Sequence, residues 1–472
     1  MASSAIKLTV WLLVSTTCQQ VLTAQQQQQH HTISVESLLS STMCSSAPAE
    51  EVTPASRPEG GSTFQIVHRA CRSPGNHMTV SDHYNTILQH DHHRVRSIHR
   101  RLTAQRTPTS IPARLGVPFH SLEYVVTIGI GTPRRNLTVL FDTGSDLSWV
   151  QCTTCGHSCY HQEEPLFNPS SSSSYSNIPC SAVECDIASD PEICSGGVCR
   201  YNMSYVDGSS TGGNLAHETV ALSPSAPADT GIVFGCSDVF IDFDDFGVAG
   251  LLGLGRGPLS IVSQTQRDYN GSLSYCLPPR GSSTTGYLTF GAAAQPQANL
   301  AFTPLTNISP QLSSFYVVEL AGISVNGAAL PILPYAFSGG AVVDSGTVMT
   351  QLLPAAYYPL RDEFRRHMAS YTMLPEGSMV DNLDTCYDVT GHDVVNVPRV
   401  ALEFGGGARI DVDASGILLV AGAEGSSVAC LAFQPMGPVG ISAIIGNMQQ
   451  RTYNVVFDVA GGRVGFGANG CS

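Results

Sequence analysis

The chain has 472 residues, enough for two or three domains with real cores, and its 45 Gly, 28 Pro and 13% charged side chains suit strands and turns more than helices. The formal net charge of −14 is unevenly spread: residues 25–114 carry nine Arg against six acids, while residues 115–472 carry 13 Arg, no Lys and 31 acids. So acidic a main body speaks against a nucleic-acid partner and for a soluble secreted protein.

The first residues read as a secretory signal, residues 1–24. Lys7 supplies the positive end, Leu8 to Val14 the apolar core, and cleavage is expected between Cys18 and Ala24. The apolar run is too short to span a bilayer. This predicts an extracellular or apoplastic protein, with vacuole or plastid as alternative destinations. Gln25 to Gln29, with His30 and His31, is low-complexity sequence for which no order is expected, and residues 32–63 show no apolar period. Phe64 to Arg69 alternates like a strand. Residues 82–102 read as a helix, with Ile87, Leu88, Val95, Ile98 and Leu102 near helical spacing beside Arg94, Arg96, Arg100 and Arg101. A basic helix of this kind can serve membranes or nucleic acid, but it is short and the rest of the chain is acidic. Thr107 to Pro112 reads as a cleavable linker.

Tyr124 to Ile130 alternates as a strand, Gly131-Thr132-Pro133 turns it, and Leu137 to Phe141 returns to deliver Asp142. The stretch Phe141-Asp142-Thr143-Gly144-Ser145-Asp146-Leu147-Ser148-Trp149 has an echo in Val342-Val343-Asp344-Ser345-Gly346-Thr347. Each copy is an apolar strand ending in Asp, a hydroxyl residue and Gly. A carboxylate at a buried strand end is costly unless something pairs or uses it. Two in equivalent settings suggest a facing pair that shares one proton, an acid and a base from identical side chains. Gly250-Leu251-Leu252-Gly253 and Ile444-Ile445-Gly446 form a second echo in the same order, so the chain contains an internal repeat and two similar lobes are expected.

Residues 152–199 hold seven cysteines, and twelve lie beyond residue 115, an even number that behind a signal predicts up to six disulfides. Zinc is the competing reading of Cys152, Cys155 and Cys159 with His157 and His161. In the second half, Phe315 to Leu320 and Ile323 to Val325 read as strands. Pro354 to Tyr371 reads as a helix burying Tyr357, Leu360, Phe364 and Met368, and Val455–Asp458 with Arg463–Phe466 as a closing hairpin. Sequons at Asn136, Asn202, Asn270 and Asn307 permit glycosylation in a secreted chain.

From roughly residue 64 to the C-terminus these motifs resemble the pepsin-like aspartic proteases, most closely the cysteine-rich plant nepenthesin-like branch, with its relatives first described from chloroplast nucleoids. The resemblance implies a mainly β, bilobal pepsin-like acid protease fold: two similar β-lobes around a central cleft, with an N-terminal prosegment. The expected divisions are a prosegment at 25–114, an N-terminal lobe at 115–303 and a C-terminal lobe at 304–472. It implies an aspartic endopeptidase made as a secreted zymogen and most active in acid. Asp142 and Asp344 would be catalytic. Ser145, Thr347, Gly144 and Gly346 would support them, Trp149 would hold the flap tyrosine, and Tyr205, Asp207 and Gly208 would form the flap. Val206 stands where the family usually has Gly, and its β-branched side chain would stiffen the flap. The pairing implied is Cys152–Cys155, Cys159–Cys236, Cys180–Cys199, Cys185–Cys194, Cys276–Cys471 and Cys386–Cys430. Neither a cofactor nor a metal is expected. The partners implied are polypeptide substrates and the chain's own prosegment as an intramolecular inhibitor, in a monomer. Plant xylanase inhibitors share this fold and cysteine pattern, so a silent binding protein or glycanase inhibitor is the alternative; the two intact Asp-hydroxyl-Gly triplets favour the protease.

Overall fold

The computed structural model describes residues 30–34, 62–68, 123–188, 194–204, 209–222, 228–241, 247–279, 286–291, 299–377, 383–423, 426–437 and 440–471. The signal expected at 1–24, the basic helix expected at 82–102 and the linker expected at 107–112 lie outside these residues.

The molecule is mainly β and bilobal. Strands β1 (His30–Ser34), β2 (Ser62–His68), β3 (Tyr124–Ile130), β4 (Arg135–Asp142) and β5 (Trp149–Gln151) open the chain. Strands β3 and β4 form the hairpin expected from the alternation, paired from Val125–Leu140 to Ile130–Arg135. Gly131 turns between them at φ +86°, a conformation open to Gly without a Cβ penalty.

The repeat read in the sequence is a repeat of topology. In the first lobe Gly250–Gly253 runs parallel to β4 and antiparallel to β5, with Gly253 opposite Asp142. In the second, Ala443–Ile445 runs parallel to Ala341–Val343 and antiparallel to Thr350–Leu352. A strand inserted between the two arms of the Asp loop must approach them closely. A Cβ on Gly253 would meet the Asp146 carbonyl oxygen at 2.1 Å, and one on Gly446 would meet the Val348 carbonyl oxygen at 2.7 Å, so both positions require Gly.

The lobes share backbone pairing. The C-terminal hairpin, Asn454–Asp458 with Arg463–Gly467, pairs through its first strand with Ser272–Cys276 of the first half. One continuous sheet then runs through Gly286–Phe290 and β2 to β3. Phe141, Tyr275, Tyr316 and Phe457 pack ring to ring at this junction.

The expected helix forms over Pro354–His367, with proline in its first turn and Tyr357, Leu360 and Phe364 buried. It stops four residues short of Tyr371; Met368 caps it and is itself fully buried. Phe315–Leu320 resolves into two short strands, Val317–Val318 and the start of Leu320–Val325.

Two expectations fail. His30 and His31 lie in a strand, β1, where no order was expected: the ordering comes from antiparallel pairing with Val394–Pro398, a contact with no local signal. The cysteine pairing of the insertion also differs. The bonds are Cys152–Cys236, Cys155–Cys159, Cys180–Cys194 and Cys185–Cys199, not Cys152–Cys155, Cys159–Cys236, Cys180–Cys199 and Cys185–Cys194. Strand β5 runs parallel to Ala228–Ile241 with Val150 opposite Cys236, so Cys152, just past its end, lies 5.5 Å from Cys236 between Cα atoms. Cys155 and Cys159 then close a tight turn at 5.1 Å. The short helix Val183–Ala188 buries Cys185 and bonds it to the Val198–Ser204 strand through Cys199. Cys276–Cys471 and Cys386–Cys430 form as the resemblance implied. With Cys152, Cys155 and Cys159 all in disulfides, no thiolate remains there for zinc.

Candidate active site

Asp142 ends β4 and Asp344 follows Ala341–Val343. Their side chains are 1% and 0% exposed. Each carboxylate is held the same way. The Gly144 N–H donates to Asp142 Oδ1 at 2.9 Å, and the Gly346 N–H to Asp344 Oδ1 at 3.0 Å. The Ser145 hydroxyl donates to Asp142 Oδ2, and the Thr347 hydroxyl to Asp344 Oδ2 at 2.8 Å. Each buried carboxyl thus has one backbone and one hydroxyl donor, which offsets its desolvation and fixes its plane. Gly144 and Gly346 are the more open members of the two Asp-hydroxyl-Gly triplets.

The two loops are tied across the lobes. The Thr143 N–H donates to Ser345 Oγ at 3.0 Å and the Ser345 N–H to Thr143 Oγ1 at 2.9 Å. The hydroxyls donate onward, Thr143 to the Val343 carbonyl at 3.2 Å and Ser345 to the Phe141 carbonyl at 3.3 Å. Reciprocal bonding of this kind brings two carboxylates more than two hundred residues apart in sequence into one site.

Beneath the loops lies a support that sequence reasoning missed. The Tyr275 hydroxyl donates to Gln450 Oε1, and Gln450 Nε2 donates to the carbonyls of Asp344 at 3.2 Å and Ile445 at 2.8 Å. Both residues are fully buried. Burial first, then the charge of Asp344, pushes the Tyr275 phenol well above its ordinary range, with Asp142 adding to it and a bond to Thr143 partly opposing it, so the hydroxyl stays a neutral donor. Asp146 plays a similar part on the other loop: its Oδ1 accepts the Gly257 N–H at 2.8 Å. The signal that could have revealed Gln450 is the polar pair Gln449-Gln450 just after Ile444-Ile445-Gly446.

Trp149 is 1% exposed and packs on Phe240 with ring centroids 5.9 Å apart. Val198–Ser204 and Ser210–Ala221 form a hairpin with Ser204 opposite Ser210. Tyr205, Val206, Asp207 and Gly208 fall in its link, outside the described residues. The sequon residues Asn136, Asn202, Asn270 and Asn307 are all exposed.

Family models described as xylanase inhibitor N-terminal and C-terminal match residues 124–292 and 315–468. An aspartyl protease family protein of Arabidopsis thaliana is 42% identical over 93% of this chain and 93% of its own length. Aspartic proteinase nepenthesin-1 of Nepenthes gracilis is 37% identical over 74% of this chain and 78% of its own. The chain belongs to the plant pepsin-like aspartic protease family. Among solved structures, basic 7S globulin from soybean matches with TM-score 0.56 at 21% identity, covering 73% of this chain and 91% of that one, a likeness of fold alone. Membership of this family fits the matched hydrogen bonding of the two Asp loops, which holds two buried carboxyls in register.

Proposed function

We propose that the chain is an active aspartic endopeptidase. The observation that carries this reading is the matched support of Asp142 and Asp344, each with its glycine N–H and hydroxyl donor, on loops cross-bonded through Thr143 and Ser345. A pair of carboxyls sharing one proton holds a water between them. The ionised member takes a proton from that water as its oxygen attacks the peptide carbonyl carbon, and the protonated member donates to the carbonyl oxygen. Collapse of the tetrahedral intermediate expels the amine, which takes up a proton. Acid conditions suit a pair that must keep one proton.

The basic residues 25–114 act, in this reading, as a prosegment over an acidic body, weakened as carboxylates protonate. The signal and exposed sequons suit a secreted glycoprotein, and the substrates are polypeptides. The family-model descriptions favour the second reading, a glycanase inhibitor. The discriminating assay is hydrolysis of an unfolded protein between about pH 2 and pH 7 by wild type and Asp142→Asn, with and without a pepstatin-type inhibitor. Acid cleavage lost in the variant and with inhibitor supports the protease. No cleavage by the folded, processed chain, together with glycanase binding, supports the inhibitor.

A further inference from the structure

Strand Val394–Pro398 has an unusual position in the C-terminal lobe. It buries Val395 and Val397 in the core at 2% and 0% exposure. Yet among the described residues its only ladder partner is β1, in a separate two-stranded sheet. The following strand, Val400–Phe404, pairs instead with Leu320–Val325 and Arg409–Asp411. The Asn396 N–H faces away from β1 and donates to the Tyr371 hydroxyl at 2.8 Å, so the ladder with β1 runs through Val395 and Val397, opposite Ile33 and His31. An anchored strand with an open edge is a template for another extended chain, and main-chain pairing supplies the affinity.

The occupant here is five residues long and runs antiparallel without a bulge, from His30 opposite Pro398 to Ser34 opposite Val394. It precedes β2, which pairs elsewhere, with Gly286–Phe290 and β3. The N-terminal segment is therefore attached at two separate places, at the lobe-joining sheet through β2 and at the C-terminal lobe through β1. We infer that the Val394–Pro398 edge is a strand-docking surface for the chain's own His30–Ser34 segment, a second attachment point for the prosegment that is independent of β2. The inference rests on the prosegment reading only for when the strand would leave; the docking stands without it.

The charged neighbours of His31 give the docked strand a pH dependence. His31 is half-buried beside Arg399, which follows the Val394–Pro398 strand, Asp411 at the end of Arg409–Asp411, and Asp413, which caps the short helix Ala414–Ile417. Burial, then Arg399, holds the imidazole below its ordinary value against opposite pulls from Asp413 and Asp411. The released strand binds the proton more readily than the docked one, so docking is at full strength above about pH 6.5 and weakens as pH falls through and below it.

The test is amide hydrogen exchange on the precursor carrying Asp142→Asn, which removes self-cleavage as a variable. The amides of His31, Ile33, Val395 and Val397, which face one another across the pairing, should be protected near pH 7. Ile33→Pro, which removes an N–H that faces Val395, should raise exchange at Val395 and Val397 at least tenfold while Leu320–Val325 and Ala401–Phe404 stay protected, and a synthetic peptide of residues 28–36 should restore protection. His31→Gln should flatten the loss of protection between pH 7 and pH 5. Free-chain exchange at Val395 and Val397 in the parent precursor, equal protection in Ile33→Pro, or no rescue by the peptide would overturn the docking. If Ile33→Pro unfolds the lobe, the parent's own protection decides. None of these readouts needs peptidase activity, so a failed protease reading would be seen separately.

Discussion

Thr143 and Ser345 each give the other a backbone N–H and receive one at the hydroxyl, at 3.0 Å and 2.9 Å. Both are buried, so removing either hydroxyl leaves an N–H of the opposite lobe without its acceptor. Such a loss costs about 1–3 kcal/mol. Thr143→Val and Ser345→Ala should each lower stability by that amount in denaturant titration. They should reduce kcat by tenfold or more with a smaller change in KM, because the lobes still form but the carboxyls no longer hold register. Because the two residues form one unit, the double variant should be less destabilised than the sum of the singles.

Tyr275 and Gln450 offer a separate test of positioning. Tyr275→Phe removes one hydroxyl and keeps the ring packing against Phe141 and Phe457. Gln450 Oε1 then loses its donor, while its amide still reaches the Asp344 and Ile445 carbonyls. The expected result is a loss of about 1–2 kcal/mol in stability and a kcat lowered several-fold at unchanged KM. Gln450→Leu should be worse, because it also removes the amide's bonds to the Asp344 and Ile445 carbonyls. A Tyr275→Phe enzyme with wild-type kcat at all pH values would show that the network is structural only.

The parts of this site that could be read in the sequence were those spelled locally. Asp-hydroxyl-Gly after an apolar run, and the glycine of each crossing strand, are written in consecutive residues. The helix over Pro354–His367 carries its own period. What stayed hidden was set by distant partners. Cys152 could have bonded to any of several nearby cysteines until β5 was laid beside Cys236. Tyr275 reads as an ordinary alternating strand residue until Gln450 is placed over it. His30–Ser34 carries no apolar period, and its order comes from an edge more than three hundred residues away.

Asp384 links stability to pH. Its carboxylate accepts from the Tyr357 hydroxyl at 2.6 Å and from Arg361 at 3.1 Å, while Arg365 donates to its backbone carbonyl at 2.5 Å. Burial alone would raise its pKa, but the bonds from Tyr357, Thr385 and Arg361 and the charge of Arg365 outweigh burial and hold it below the ordinary value. A carboxylate with a depressed folded-state value contributes stability above its unfolded value of about 3.9, and that contribution disappears as pH falls through the folded value. Asp384→Asn should therefore lower Tm clearly at pH 6, and the gap to wild type should narrow steadily below about pH 4. A gap that stayed constant down to pH 2 would mean that packing of the Pro354–His367 helix, not the charge, is what Asp384 supplies.

Cys276 and Cys471 tie the last residues of the chain to a strand of the lobe-joining sheet, closing a span of 195 residues. By chain-entropy reasoning, a link of that length restrains the unfolded state by about 5 kcal/mol, against about 3 kcal/mol for the 14-residue links Cys180–Cys194 and Cys185–Cys199. The long link also holds the Asn454–Asp458 strand against Ser272–Cys276, and with it Tyr275 beneath the carboxyls. Paired Cys276→Ser and Cys471→Ser substitutions should therefore lower both thermal stability and kcat. Removing Cys180 and Cys194 together should lower stability less and leave kcat near wild type. Equal losses from the two changes would mean that the C-terminal hairpin is held by its strand pairing alone.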